Sequence, residues 1–392
     1  MHFSLSQILD YSIFINPHLL LINLLFTIFI CSFIVQIFYW CFLFSKLANY
    51  KSTFKSIQGE VRNEKPISIV ICARNEANNL EKNLPRILNQ NYRSFEVIVV
   101  NDNSNDTTYD VLLKYKKIYF NLCIINLDSK PIGMVGKKFP LKIGIESSKY
   151  ATLLLTDADC CPNSSEWLFC MQSRITETTK IVLGYGPYAN YPTLLNRFIR
   201  FETVYTAIQY FSFALAKLPY MGVGRNLAYE KGLFTKSSGF EKHSHIASGD
   251  DDLFINEVAN GDNVDVMLER ESFVYSEPKI TWRDYYHQKN RHLSTATSYQ
   301  LKYQILLGLL SASHFFFYVT GIILFALNFN IIFLGTLFVV RYIVLVYYYA
   351  PILKRFQEKR LLLWIPVLDS MYILYYFTFT PILFFRNTIQ WK

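Results

Sequence analysis

Leu19 to Phe44 is a run of twenty-six residues without a single charge. A segment that apolar and that long crosses a hydrocarbon core of roughly 30 Å as a helix, because backbone groups inside a bilayer must be satisfied within their own segment. Ile305 to Leu327, Ile331 to Ala350 and Leu361 to Phe385 form three more such runs near the other end. They are separated by Asn328 to Asn330 and by Pro351 to Arg360. A cleaved signal peptide would show a basic start, a shorter apolar stretch and a small-residue cleavage site, none of which is present. The expectation is one N-terminal anchor (1–45), a middle domain (46–300) and a three-helix membrane region (301–392).

Basic residues set the orientation, because Lys and Arg in short loops stay in the cytoplasm. No Lys or Arg precedes residue 46, whereas Lys46, Lys51 and Lys55 follow the first span, and Lys354, Arg355, Lys359 and Arg360 fill the loop between the last two. With four spans both groups fall on one side, which places the middle domain in the cytoplasm, on a bacterial inner (plasma) membrane. The net charge of +9 comes with no basic run or aromatic-basic module of the nucleic-acid type, so a membrane surface explains it better. Seven cysteines include no CxxC pair, which argues against thiolate metal sites and fits reduced thiols.

Between the apolar blocks, short apolar runs alternate with helical stretches, the pattern of a mostly parallel sheet covered by helices. Strands are expected at Ile67–Cys72, Phe95–Val100, Leu122–Leu127 and Tyr150–Thr156, with helices at Asn78–Asn89, Thr107–Lys117 and Lys142–Ser148. Ligands of open parallel sheets collect beyond the carboxyl ends of the strands. Arg74, Asn75 and Glu76 follow the first strand, Asn101 and Asp102 the second, and Asp157 and Asp159 the fourth, so these groups converge. Asp106, just before a helix, reads as a cap. Arg197 to Pro219, rich in Phe and Tyr, reads as a helix lying against the bilayer.

Five motifs occur in order: Ser68 to Glu76, Val99 to Thr107, Thr156-Asp157-Ala158-Asp159, Gly249-Asp250-Asp251-Asp252-Leu253, and Gln288-x-x-Arg291-His292. Together they resemble the signatures of family 2 inverting glycosyltransferases, over roughly residues 66 to 295. One span, a catalytic domain and several further spans are similar to membrane-bound members such as ceramide glucosyltransferases and polysaccharide synthases. The resemblance implies a GT-A-like fold and a hexosyl transfer from a nucleotide sugar, a UDP-sugar first of all, to a lipid or glycolipid acceptor.

It also implies roles. Ala73, Arg74, Glu76 and Asp102 would line the pocket for uracil and ribose, Asp157 would face the nucleotide, and Asp159 would reach a divalent metal, Mg²⁺ or Mn²⁺. Oxygen ligands suit either ion, and the metal would stabilise charge on the leaving diphosphate. Of the neighbouring Lys137 and Lys138, the resemblance brings one to the diphosphate, with Lys138 taken as the donor ligand. The acceptor's proton needs a base, and like charges at Asp250, Asp251 and Asp252 can raise one carboxylate's pKa. Gapless comparison places the base at Asp251, beside Asp250, and a one-residue shift places it at Asp252. Gln288 and Arg291 would clamp the diphosphate. Gly224, Arg225, Asn226 and His292 would meet the acceptor, although the family motif ends in Trp where this chain has His292.

Arg341 and Asp369 fall at the same depth of the last two spans, counting about 1.5 Å per residue. Charges there are costly unless paired, so an Arg341–Asp369 ion pair is expected. Two other readings remain: a processive polysaccharide synthase, and a nucleotide-sugar-binding or transport protein without transfer activity.

Overall fold

A computed structural model describes residues 17–52, 54, 63–128, 136–246 and 248–384. Lys55 and Phe385 lie outside the described residues. The chain enters through α1 (Pro17–Phe38), passes a π-turn (Tyr39–Phe44) into α2 (Ser45–Ala48), and then builds β1 (Ile67–Ala73), α3 (Ala77–Leu88), β2 (Phe95–Asp102), α4 (Thr108–Lys116), β3 (Leu122–Leu127), α5 (Lys138–Glu146), β4 (Thr152–Leu155) and β5 (Cys160–Pro162). It continues through α6 (Trp167–Gln172), β6 (Ile181–Gly184), α7 (Leu194–Leu215), β7 (Leu227–Glu230), α8 (Lys231–Lys236), α9 (Asp252–Val258), β8 (Val264–Met267), β9 (Val274–Ser276) and α10 (Trp282–Leu293). It ends in α11 (Leu301–Ala326), α12 (Ile331–Arg355) and α13 (Ile365–Phe384).

Seven strands form one sheet in the order β3-β2-β1-β4-β7-β6-β8. The β3-β2-β1-β4 half is parallel, β7 runs antiparallel to both neighbours, and β6 and β8 are parallel. This is the mostly parallel, GT-A-like α/β architecture expected from the alternation. The parallel strands are buried on both faces, hence their nearly continuous apolar sequences such as Ile69-Val70-Ile71 and Val97-Ile98-Val99-Val100. β5 and β9 pair antiparallel as a separate two-stranded ribbon. Asp106 ties two helix starts together, accepting from the amides of Thr108 (3.0 Å) and Ala77 (3.3 Å).

Among the described residues four helices are long and apolar enough to cross a membrane: His18–Ala48, Leu301–Ala326, Ile331–Arg355 and Lys359–Pro381. The Arg341 guanidinium meets the Asp369 carboxylate at 2.6 Å. Tyr318 donates to the same carboxylate oxygen (2.6 Å), His314 Nε2 lies 3.3 Å from the other oxygen, and Arg341 also donates to Gln36 of α1 (3.2 Å). The pair thereby links all four spans.

The segment around Arg197 to Pro219 departs from expectation. Sixteen of the twenty-two residues of α7 are buried, on every side of the helix. A helix lying in an interface keeps one solvated polar face; here the charges are instead paired inward, Arg200 with Glu358 and Glu202 with Lys289. α7 is a buried strut whose apolar cluster runs without a break from Trp40 and Phe44 at the end of the first span to Tyr349, Leu353 and Leu368 of the last two. The sheet and the spanning helices therefore share a core.

Candidate active site

Three parallel strands deliver acids or their neighbours to one edge. β1 ends at buried Ala73, after which Arg74 and Glu76 face a large cavity. Asn75 sits between them in the left-handed region (φ 55), a conformation Asn tolerates, and its side chain accepts from the amide of Asn105 (2.8 Å), so the loops after β1 and β2 are tied. Beyond β4, Asp157 and Asp159 face the same cavity, whose volume is about 1780 Å³. Arg225, Asp250, Asp251, Gln288, Arg291 and His292 also line it.

Lys137, in the turn before α5, bridges two of these groups. Its ammonium is 2.9 Å from Asp157 and 3.0 Å from Asp250. Burial works against its charge, but Asp157, Asp250 and Asp251 outweigh burial and hold the lysine protonated, well above its usual range. Lys138 does not reach the cavity. α5 begins at that residue, four positions earlier than the sequence suggested, and its first turn aims the side chain at the carbonyls of His243 (2.5 Å) and Ile246 (2.9 Å). Of the two lysines, Lys137 is the one that lines the cavity.

The carboxylates at 250, 251 and 252 have separate surroundings. Asp252 is buried and accepts from the hydroxyls of Thr295 (2.5 Å) and Tyr299 (2.7 Å), so one of its oxygens is filled by structure. Asp251 caps α9 and accepts from the amides of Gly224 (2.6 Å) and Asp252 (2.8 Å), while its side chain remains open to the cavity. A Cβ at residue 224 would sit 3.1 Å from the Asp251 oxygen, close enough that the carboxylate would have to shift by a few tenths of an ångström. Gly249 starts the acidic turn at φ +90, where other residues are strained. Burial, then the charges of Asp250 and Asp252, push the Asp251 carboxyl up to about 7.

Asp157 and Asp159 suit a hard divalent cation. Their oxygens and the Cys160 sulfur lie within 4.8 Å of one another. Burial and the Asp157 charge raise the Asp159 carboxyl, and the same burial keeps Cys160 a thiol that leans on Asp159 (3.4 Å). Two clustered carboxylate oxygens with a surplus of negative charge match Mg²⁺ or Mn²⁺; a protonated thiol adds no ligand.

Other expected residues lie off the cavity. Ala73 and Asp102 are buried at the ends of β1 and β2. Asn226 is fully buried, donating to the carbonyls of Tyr185 (3.0 Å) and Ser272 (2.8 Å) and accepting from Trp167 (2.9 Å), so it holds the wall together. Arg225 does face inward, held by Ser276 (2.7 Å) and by the Tyr188 ring 4.4 Å away. His292 presents an exposed ring to the open cavity; desolvation between the cavity walls and the charges of Arg291 and Lys289 hold the imidazole well below its usual range, on the neutral side. The sequence reading missed the aromatic and spanning-helix wall of the cavity, including Tyr188, Tyr220, Tyr372 and Phe379. The density of Tyr in the last span was its only trace.

The glycosyl transferase family 2 model matches residues 68–231. Among curated proteins the chain is similar to the glycosyltransferase AglE of Haloferax volcanii, 29% identical over 47% of this chain and 58% of that one. It is also similar to a dolichyl-phosphate beta-glucosyltransferase of Trichomonas vaginalis, 35% identical over 24% of this chain and 30% of that one. The chain thus spans little more than half the length of the first of these relatives. Among solved structures, a mannosyltransferase from Pyrobaculum calidifontis in complex with GDP-Man and Mn²⁺ shares the fold, with a TM-score of 0.58 over 91% of this chain and 99% of that one at 15% identity. The strand-end acids and the sheet order are in keeping with these matches, in which residues 68–231 are similar to the glycosyl transferase family 2 model.

Proposed function

We propose that this protein is an inverting glycosyltransferase that moves a sugar from a nucleotide sugar, a UDP-sugar first of all, to a lipid held in the membrane, with its 46–300 domain on the cytoplasmic face. The observation that carries this is the single cavity whose walls include both the strand-end acids and the spanning helices: Asp157, Asp159 and Asp251 share it with Phe315 and Phe316 of α11 and Phe379 of α13. A soluble sugar acceptor needs no such wall. Arg355, the last residue of α12, donates to the carbonyl of Tyr50 after the first span (2.5 Å), so the basic ends lie together, on the side of the catalytic domain. That supports the cytoplasmic orientation.

In this reading Arg74 and Glu76 contact the nucleoside, while Ala73 and Asp102 shape the pocket from beneath. Asp159, with Asp157 beside it, would hold the divalent metal, which supplies positive charge to the leaving diphosphate. Lys137 is positioned to leave Asp157 for the diphosphate, and Gln288 and Arg291 approach from α10. Asp251 takes the acceptor's proton on the opposite side, and Asp250, ion-paired with Lys137, keeps a negative charge next to it. His292 offers a neutral planar ring to the acceptor.

The test is nucleoside diphosphate release and sugar transfer by purified full-length protein with metal and a membrane lipid extract. Asp159→Ala is expected to abolish it and Asp251→Asn to lower it by about 10² or more. Activity surviving both refutes the assigned roles. A ladder of products on a gel, in place of one shifted lipid, makes the protein a polysaccharide synthase.

A further inference from the structure

From the charges around the cavity, and resting on the reading above, we infer that the acceptor is an uncharged lipid alcohol rather than a lipid phosphate. Either lipid could place its tail along the spanning-helix wall, where Leu307, Gly308 and Phe315 of α11 face Tyr375 and Phe379 of α13. The head group distinguishes them, because it must meet Asp251.

Around Asp251 the fixed charge is negative: Asp250 and Asp252 act on it, against Lys137. Lys137 is taken by Asp157 and Asp250. Lys289 is locked on Glu202 at 2.5 Å, and Lys138 is turned to two carbonyls. Arg225, held by Ser276 and Tyr188, directs its charge at Asp157 and Asp159. Arg291 and Lys137 are the groups assigned to the donor's own diphosphate, and Lys279 lies on the Asp159 side, where its charge lowers that carboxyl. A second phosphate brought to Asp250 and Asp251 would meet like charge, and among the described residues the cation facing those carboxylates, Lys137, is already shared between Asp157 and Asp250. An alcohol brings no charge.

The chemistry points the same way. A phosphate monoester is an anion at neutral pH and attacks without help. A hydroxyl must lose its proton as it attacks, which is work for a carboxylate held open to the cavity by the amides of Gly224 and Asp252. The alcohol oxygen forms the bond to the sugar's anomeric carbon, its proton passes to the Asp251 carboxylate, and the bond to the β-phosphate oxygen breaks with its electron pair leaving on the nucleoside diphosphate. No other reactant is needed. The relative named for a dolichyl phosphate matches only 24% of this chain, too little to carry its acceptor across.

Full-length protein in nanodiscs with Mn²⁺ is given radiolabelled UDP-glucose, UDP-galactose, UDP-N-acetylglucosamine or GDP-mannose, with dioleoylglycerol, ceramide or undecaprenyl phosphate as acceptor. The expected result is organic-phase label on an alcohol, stable to mild acid as a glycoside should be, at least tenfold above the undecaprenyl phosphate arm. Acid-labile label on undecaprenyl phosphate, equal to or above the alcohols, overturns this inference and leaves lipid transfer standing. No label on any lipid, or label only in water-soluble polymer, overturns the lipid reading itself.

Discussion

Midway along the spanning helices, Arg341, Asp369, Tyr318, His314 and Gln36 close around one another until each charge has its complement. At the sheet edge, Asp157, Asp159, Asp250, Asp251 and Asp252 gather near Lys137 and Arg225, with carboxylates in excess. Both regions bury ionisable groups, at a cost in desolvation. The balanced set needs nothing more and can serve to register four helices. The unbalanced set is held near neutrality only by protons or by cations from outside, which is the condition of a site waiting for a metal and for a substrate proton.

The most severe way to break this contrast is to remove the unbalanced charge. Asp251→Asn is expected to lower kcat by about 10² to 10⁴, the usual worth of a general base. Because the base must be deprotonated and its pKa is pushed up to about 7, kcat/KM of the unmodified protein should fall tenfold per unit as pH drops below about 7 and level off above it. The variant should lose that limb. An Asp251→Asn protein that keeps a tenth of the rate, or the same pH limb, would mean that the crowded carboxylates are not the base.

Next in size is the balanced set. Asp369→Ala leaves Arg341 buried and unpaired, which costs about 3 to 5 kcal/mol, whereas the double substitution Arg341→Met with Asp369→Leu should stay near the starting stability. Thermal unfolding in detergent reads both. Transfer by the double variant should persist; if it vanishes with the fold intact, the membrane charges belong to the reaction and the contrast fails.

Asp252 tests the boundary between the two behaviours, since it sits in the acidic run yet is satisfied by Thr295 and Tyr299. Asp252→Asn keeps an acceptor but loses the charge in two hydrogen bonds, so about 1.5 to 3 kcal/mol of stability should go, with kcat changed less than tenfold. The reverse outcome, a stable protein without turnover, would move the base one residue along.

How far the sequence foretold this depends on the range of the forces involved. β3 falls at Leu122–Leu127 as its apolar run required, and the Arg341–Asp369 pair followed from helix geometry and the cost of buried charge alone. β6, β7 and β8 were not foreseen, being four residues each and set by antiparallel and crossover pairings that leave no periodic trace. At the site, adjacency along the strand end made Asp157 and Asp159 a visible pair. Lys137 and Lys138 could not be separated, because their difference is the start of α5 and two carbonyls a hundred residues away. Asn226 likewise reads as polar and free until the tertiary structure fills its amide.

The smallest expected effect concerns His292, and it separates shape from charge. Its ring is neutral at pH 7, and its Nε2 lies 3.5 Å from Arg291, from which a neutral imidazole can accept. If the ring acts as a surface, His292→Trp enlarges it, and a stacking gain of about 0.5 to 1.5 kcal/mol lowers the acceptor KM by roughly two- to tenfold. Indole cannot accept from Arg291, so a small rise in donor KM should accompany it. The lower limb of the pH profile should not move, because Asp251 and not the imidazole titrates there. A limb displaced by a full unit in His292→Phe would transfer the titration to the histidine, and the excess of carboxylates would then serve the metal and nucleotide alone.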